Sequence, residues 1–198
     1  MTRTRAATAA LALLLTALAA SSQETPAPTV ASVMDAQLTG VEKQFVSAAE
    51  AMPEDKYSYL PQTGDFAGVR TFALEITHVA TANFVFSSAI LGQDPPPGVT
   101  VAGAANGPDT LRTKARIVAY LKDSFALEHK AMASLTRDNA LAPLPHSPVP
   151  GMNTRLALAA FSLEHACDHY GQMVEYLRMN GIVPPASQGQ PPANPPRK

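Results

Sequence analysis

Tryptophan is missing from this 198-residue sequence, and cysteine occurs once, at Cys167. A single thiol cannot build a disulfide framework within the chain, so no cystine scaffold holds the fold. Aromatic residues make up only 6% of the sequence, which leaves the core to alanine, leucine and branched aliphatic contacts. A basic surplus is also lacking, because 15 Lys and Arg face 16 Asp and Glu. With no basic stripe along the chain, nucleic acid is excluded as a partner. The absence of internal repeats removes solenoid architectures. No segment shows the period-two alternation of a half-buried strand.

What is present begins with a leader. Arg3 and Arg5 precede an apolar run of 15 residues from Ala6 to Ala20, and Ala17-Leu18-Ala19 fits a small-x-small cleavage site. The pattern reads as a secretory signal peptide over residues 1–20, cut after Ala19 or Ala20. The run is short of the roughly 20 residues a membrane span needs, so no stable membrane insertion is expected after cleavage. No cysteine follows the cut, which disfavours a lipoprotein. The expected location is outside the cytoplasm, the periplasm if the source is Gram-negative. Loss of the two arginines leaves 13 basic residues against 16 acidic ones. Residues 21–28 are rich in Ser, Thr and Pro and are expected to be disordered.

The mature chain then carries four apolar patterns of helical period. The first covers about residues 29–51, with Leu38, Val41, Phe45, Ala48 and Ala49 on one face, and stops at Met52-Pro53. Between them, residues 54–69 form a loop whose Tyr57 and Tyr59 fold down on the core. The second pattern runs from about Thr71 to Leu91, with Phe72, Ile76, Val79, Phe86 and Ile90 inward, Leu74, His78 and Val85 alongside, and Gly92 as its stop. A third is expected over about 109–139, marked by Leu111, Ala115, Val118, Leu121, Phe125, His129 and Met132. The fourth runs from about Met152 or Asn153 to Asn180, with Leu156, Leu163, Tyr170, Val174 and Leu177 as its stripe. The connections at 93–107 and 140–150 are dense in proline and glycine, and residues 184–198 read as a disordered proline-rich tail. The expected fold is all-α, a four-helix bundle over residues 29–183 with proline-rich crossovers. Such bundles build metal sites from side chains on facing helices.

The chemistry centres on Leu163-Glu164-His165-Ala166-Cys167-Asp168-His169-Tyr170-Gly171-Gln172. Histidines four apart lie one above the other on a helix face and can share one ion. Alone, this pair is weak evidence. The spacing approaches H-E-x-x-H, but Ala166 stands where a zincin needs its glutamate, so that protease class is excluded.

The stretch from His165 to Gln172, followed by Glu175-Tyr176-Leu177-Arg178 and Asn180-Gly181-Ile182-Val183-Pro184-Pro185, resembles the last helix of the DinB/YfiT-like superfamily. Ala51-Met52-Pro53-Glu54-Asp55-Lys56-Tyr57 and Thr77-His78-Val79-Ala80-x-Ala82-Asn83 resemble its first loop and second helix. Together these matches span about residues 30–187. The resemblance implies a four-helix bundle that binds a divalent metal, commonly zinc or nickel, through three histidines, which here are His78, His165 and His169. It also implies chemistry of the kind found in thiol transferases, with a small-molecule thiol and an electrophile as partners, or hydrolysis by metal-bound water. A homodimer is compatible with it. No catalytic residue is assigned. The alternative is a non-catalytic metal-binding or dimeric interaction bundle, and bulky Phe84 or Phe86 at the end of the pocket would favour that alternative.

Other candidates take plainer readings. His129 tempts as a fourth ligand but is expected to be a hydrogen-bonded core residue, and His146 an exposed one. Cys167 is turned about 200° from both histidines of its helix and is expected to be a small buried hydrophobe. Glu164 and Asp168 turn away from the metal side. Glu75, one turn before His78, could serve beside the ligands, but exposed helix surface is the preferred reading. Asn83 and Tyr170 are candidate pocket walls, and Gly171 a point of close helix packing or of space near the ion.

Overall fold

A computed structural model describes residues 27–100 and 105–190. The expected signal peptide, and most of the expected disordered segment 21–28, lie outside the described residues. Among the described residues four long helices form: α1 Val30–Ala51, α2 Phe72–Leu91, α3 Lys114–Ala133 and α4 Arg155–Met179. Among the described residues there is no strand, only an isolated bridge between Pro143 and Thr154.

All four helices start at a threonine. Thr29, Thr71, Thr113 and Thr154 adopt extended backbone, and each hydroxyl accepts the amide three residues on. Each such cap stabilises its helix start by about 1 kcal/mol. These caps correct one expected boundary and sharpen another. α3 starts at Lys114, not near Asp109, and α4 at Arg155, two residues past the expected Asn153. α3 also stops at Ala133, short of Asn139. There the Asn139 side chain donates to the Ser134 carbonyl and accepts the Thr136 amide at 2.8 Å, so residues 134–139 close a turn instead of continuing the helix. α2 ends as expected, at Gly92 in the left-handed region with φ 71°.

Side-chain contacts give the directions. Phe45 meets Phe125 at 6.1 Å between ring centroids and Glu50 pairs with Lys122, so α1 and α3 run antiparallel. Thr81 meets Tyr120 and Asn83 meets Ser124, so α2 and α3 run parallel. Glu75 meets His169 and Phe86 meets Phe161, so α2 and α4 run antiparallel. α1 also packs along α4. Parallel neighbours require the chain to return the length of a helix, about 30 Å, between them.

The core is filled by Leu38, Phe45, Met52, Phe72, Ile76, Ile90, Leu121, Phe125, Met132, Leu158, Met173 and Leu177. The expected stripes of α1 and α2 hold, except that Leu74 is exposed. Ala115 of α3 is also exposed, while the expected Val118 is buried together with its neighbour Ile117. The stripe of α4 is turned from the expected one. Leu158, Ala159, Ser162, Ala166, His169, Met173 and Tyr176 are buried, while Leu163 and Tyr170 are only half-buried. Small residues mark where α4 passes its neighbours closely, and that turn carries His169 inside. Tyr57 folds onto the core as expected, donating its hydroxyl to the Ala49 carbonyl at 2.7 Å. The start of the expected disordered tail is a correction. Pro184 is buried, and Pro185–Ser187 form a 3-10 turn packed on α1.

Candidate metal centre

α2 is the innermost helix, and its inward face carries polar groups as well as apolar ones. Glu75, Thr77, Thr81, Asn83, Ser87 and Ser88 are all buried on it. His78 lies in this row, opposite the turn of α4 that holds His165 and His169. One ring nitrogen from each of the three lies within 4.8 Å of the others. The ring centroids are 5.1, 4.8 and 4.6 Å apart in the three pairings. His78 Nε2 and His165 Nε2 are 3.2 Å apart.

Two of the rings are oriented from behind. His78 Nδ1 donates to the Ala105 carbonyl at 3.2 Å. His169 Nδ1 donates to Glu75 Oε2 at 2.5 Å, and both side chains are nearly shielded from solvent. With Nδ1 carrying the proton, each ring turns an Nε2 lone pair into the cluster. His165 is kept neutral by its surroundings. Burial first, then the charges of His169, His78 and Arg70, push it down to about 3.

This donor set fits a divalent ion. Metal–nitrogen bonds of 2.0–2.1 Å in a tetrahedron put ligand nitrogens about 3.3 Å apart, close to the 3.2 Å between His78 and His165. A carboxylate or carbonyl behind each ligating imidazole is the usual outer support of such sites. Two lone pairs facing each other at that distance repel unless a cation or a proton lies between them. Three imidazoles grouped in this way could hold one divalent ion between them.

The other candidates separate cleanly. Glu75 is 1% exposed, which overturns the surface reading. His129 does not reach the cluster and is not a core residue either. Its ring is held at the edge of the bundle between Asp35 at 2.6 Å and Glu42 at 3.1 Å. Burial lowers its pKa, but the hydrogen bonds and charges of those carboxylates outweigh this, and the net shift is upward. Cys167 faces away from the histidines as expected, but it is exposed, not buried. Glu164 and Asp168 point outward, and His146 is exposed. Asn83 is buried and donates to Ser124 at 3.4 Å. Gly171 is exposed, and a methyl group there would meet nothing within 4 Å, so it is no packing point. Phe84 turns towards Tyr120, whereas Phe86 and Phe161 flank the His165 ring at 5.6 and 6.0 Å.

Two contributors carried no sequence signal. Ala105 supplies only a carbonyl, and Arg70 lies in the loop before α2. The Arg70 Nε donates to Asn106 Oδ1 at 2.8 Å.

A family model described as the DinB superfamily matches residues 37–173, a span that includes all three histidines. No curated protein matches the chain. One similar solved structure is the crystal structure of a conserved protein from Enterococcus faecalis. It is 17% identical with a TM-score of 0.61, and the match covers 77% of this chain and 98% of that one. At that identity the likeness speaks for the fold.

Proposed function

The chain belongs to the DinB superfamily, and from that premise we propose that it holds one divalent ion, zinc or nickel, through Nε2 of His78, His165 and His169 and uses it in thiol transfer or hydrolysis. The observation that carries this reading is the convergence of the three imidazoles, two of them with Nδ1 already committed to an acceptor. When bound, such an ion lowers the pKa of a coordinated water or thiol to the neutral range.

The chain's own residues divide the remaining work. Glu75 keeps the His169 proton on Nδ1, and the Ala105 carbonyl does the same for His78. Phe86 and Phe161 wall the His165 side against water. The partners of the reaction would be a small-molecule thiol and an electrophile.

Those same two phenylalanines favour a second reading, in which the site stores or senses metal without turnover. Metal content separates the readings from a bundle with no ion at all. The mature protein, purified untagged without added metal, is expected to carry about one divalent ion per chain. Both His78→Ala and His169→Ala should lose it. A metal-free wild type whose affinity neither substitution changes would sink the proposal. If the ion is present, a thiol-transfer and hydrolase screen then divides catalysis from storage.

We further propose export and a homodimer. Export predicts an intact mass beginning at Ala20 or Ser21 in the secreted fraction. A full-length mass would refute it.

A further inference from the structure

The last turns of α2 open onto a groove of about 870 Å³, and none of the three histidines lines it. Val85 and Ala89 of α2 face Val99, from the connection after α2, and Leu144, from the crossover before α4. Val85 and Ala89 stand seven and eleven residues past His78, so they continue the same face of the helix roughly 10 and 16 Å further along. The volume lies within the range of about 300–1,000 Å³ usual for small-molecule sites.

The Leu144 side is formed in advance of any ligand. The Leu144 amide donates to the Asn153 carbonyl at 2.8 Å, the Arg155 amide to Ala142 at 3.3 Å and the Leu156 amide to Ala140 at 2.9 Å. These bonds fold the crossover back against the start of α4. Pro143, Pro145 and Pro148 also line the groove, and their fixed φ stiffens that wall. A preformed wall has little freedom left to lose on binding.

Arg155 is the cation of the lining. Its Nη1 donates to the Ile90 carbonyl, one of the last of α2, while the Gly92 and Gln93 amides serve Ser88 and Ala89. Capping α2 explains Nη1 and leaves the other edge of the guanidinium unused. There Nε is shielded from solvent without an acceptor, and Nη2 makes no hydrogen bond among the described residues. A buried N–H left unmet is costly, and two parallel N–H groups on one planar edge match the two oxygens of a carboxylate. Asp94 and His146 line the groove as well, but both are exposed at its rim, where solvent and salt screen charge. The rest of the lining is mainly aliphatic and proline surface, with no Phe or Tyr ring on which a flat ligand could stack.

We propose that this groove is a second binding site, for an aliphatic monocarboxylate whose head accepts from the Nε–Nη2 edge of Arg155 and whose chain lies on Val85, Ala89, Val99 and Leu144. A carboxylate is favoured over a neutral acceptor because a hydrogen bond between charged partners is roughly twice as strong. The site stands apart from the three-histidine group and does not rest on the metal reading.

The test titrates octanoate and octanol into the mature protein by calorimetry, with and without chelator. Octanoate is expected to bind about tenfold or more tightly than octanol, the range of a hydrogen bond to a charged group, and chelator should change neither affinity. Arg155→Met should abolish the preference. Should that variant fail to fold, Arg155→Lys keeps a charge that can cap Ile90 but loses the two-donor edge, and it should cut the preference severalfold. Ala89→Trp fills the groove with the guanidinium in place and should lose both ligands. Absence of octanoate binding, or equal affinity for the two probes in wild type, overturns the proposal. A preference that survives in the folded Arg155 variants overturns the role of Arg155, and binding that survives Ala89→Trp overturns the groove. Octanoate binding that chelator removes places the carboxylate on an ion at the histidines instead, and overturns the second site.

Discussion

Replacing Glu128 by glutamine should make the protein more stable above neutral pH and leave it nearly unchanged in acid. Glu128 lies on α3 and is 1% exposed. Ser162 of α4 donates to its Oε1 at 2.7 Å, while Oε2 has no partner among the described residues. Burial raises its pKa from 4.5 to about 7, against smaller lowering contributions from Ser162 and His129. Below pH 4.5 the carboxyl is protonated in both the folded and the unfolded chain and contributes no pH dependence. Between 4.5 and about 7 the unfolded chain is ionised and the folded one is not, so folding takes up a proton and stability falls as pH rises. Above about 7 both are ionised, and the folded state carries the full penalty, about 3 kcal/mol for that displacement. Glutamine has the same shape and can accept from Ser162, but it has no charge to bury. Urea unfolding of wild type and Glu128→Gln, with chelator present and from pH 4 to 8.5, measures the difference directly. The stability gap should open from near zero to about 3 kcal/mol in favour of the variant. A gap that stays constant across that range would refute the reasoning, because it would place the carboxyl in the same ionisation state folded and unfolded.

Glu75→Leu leaves the Nδ1 proton of His169 buried without an acceptor, so metal affinity by chelator competition should fall about 10- to 100-fold, with Glu75→Gln losing less. An unchanged affinity in a folded Leu variant would make Glu75 a packing residue only. His129, whose pKa is raised by Asp35 and Glu42 over the opposing effect of burial, adds stability below its ordinary value of 6.5 that is lost as pH rises through the higher folded value. His129→Gln should remove that component of the pH profile. Gly107→Ala should cost about 1–3 kcal/mol through backbone strain and also weaken metal binding, because it lifts the Ala105 carbonyl from His78. Loss of stability with full metal affinity would show that the loop does not orient the ring.

Helix existence and the His165–His169 pair were legible because both rest on short-range spacing, whereas His78 entered only through the family resemblance. The periods of α1 and α2, the four-residue gap between His165 and His169, and the glycine after Leu91 are local facts. What could not be read is which way each face turns. Leu163 and Tyr170 are the bulky choices for an inward stripe on α4, yet the helix buries Ser162, Ala166 and His169, since small residues allow the closest approach to α1 and α2. Arg70 and Ala105 join the site through a connection whose course nothing local dictates. Glu75 was half legible. It lies three residues before His78, hence on the same face, but its burial depends on a partner 94 residues away. His129 misled because it continues the row of Phe125 and Met132. The contrary signal lay on α1, where Asp35 and Glu42 stand seven residues apart and so share the face that meets it. Cys167 shows how far geometry alone can go. It is turned from both histidines of its helix, and once those histidines face the interior, the opposite side of α4 has nowhere to be but solvent. The rotation that keeps the thiol from the ion also puts it at the surface.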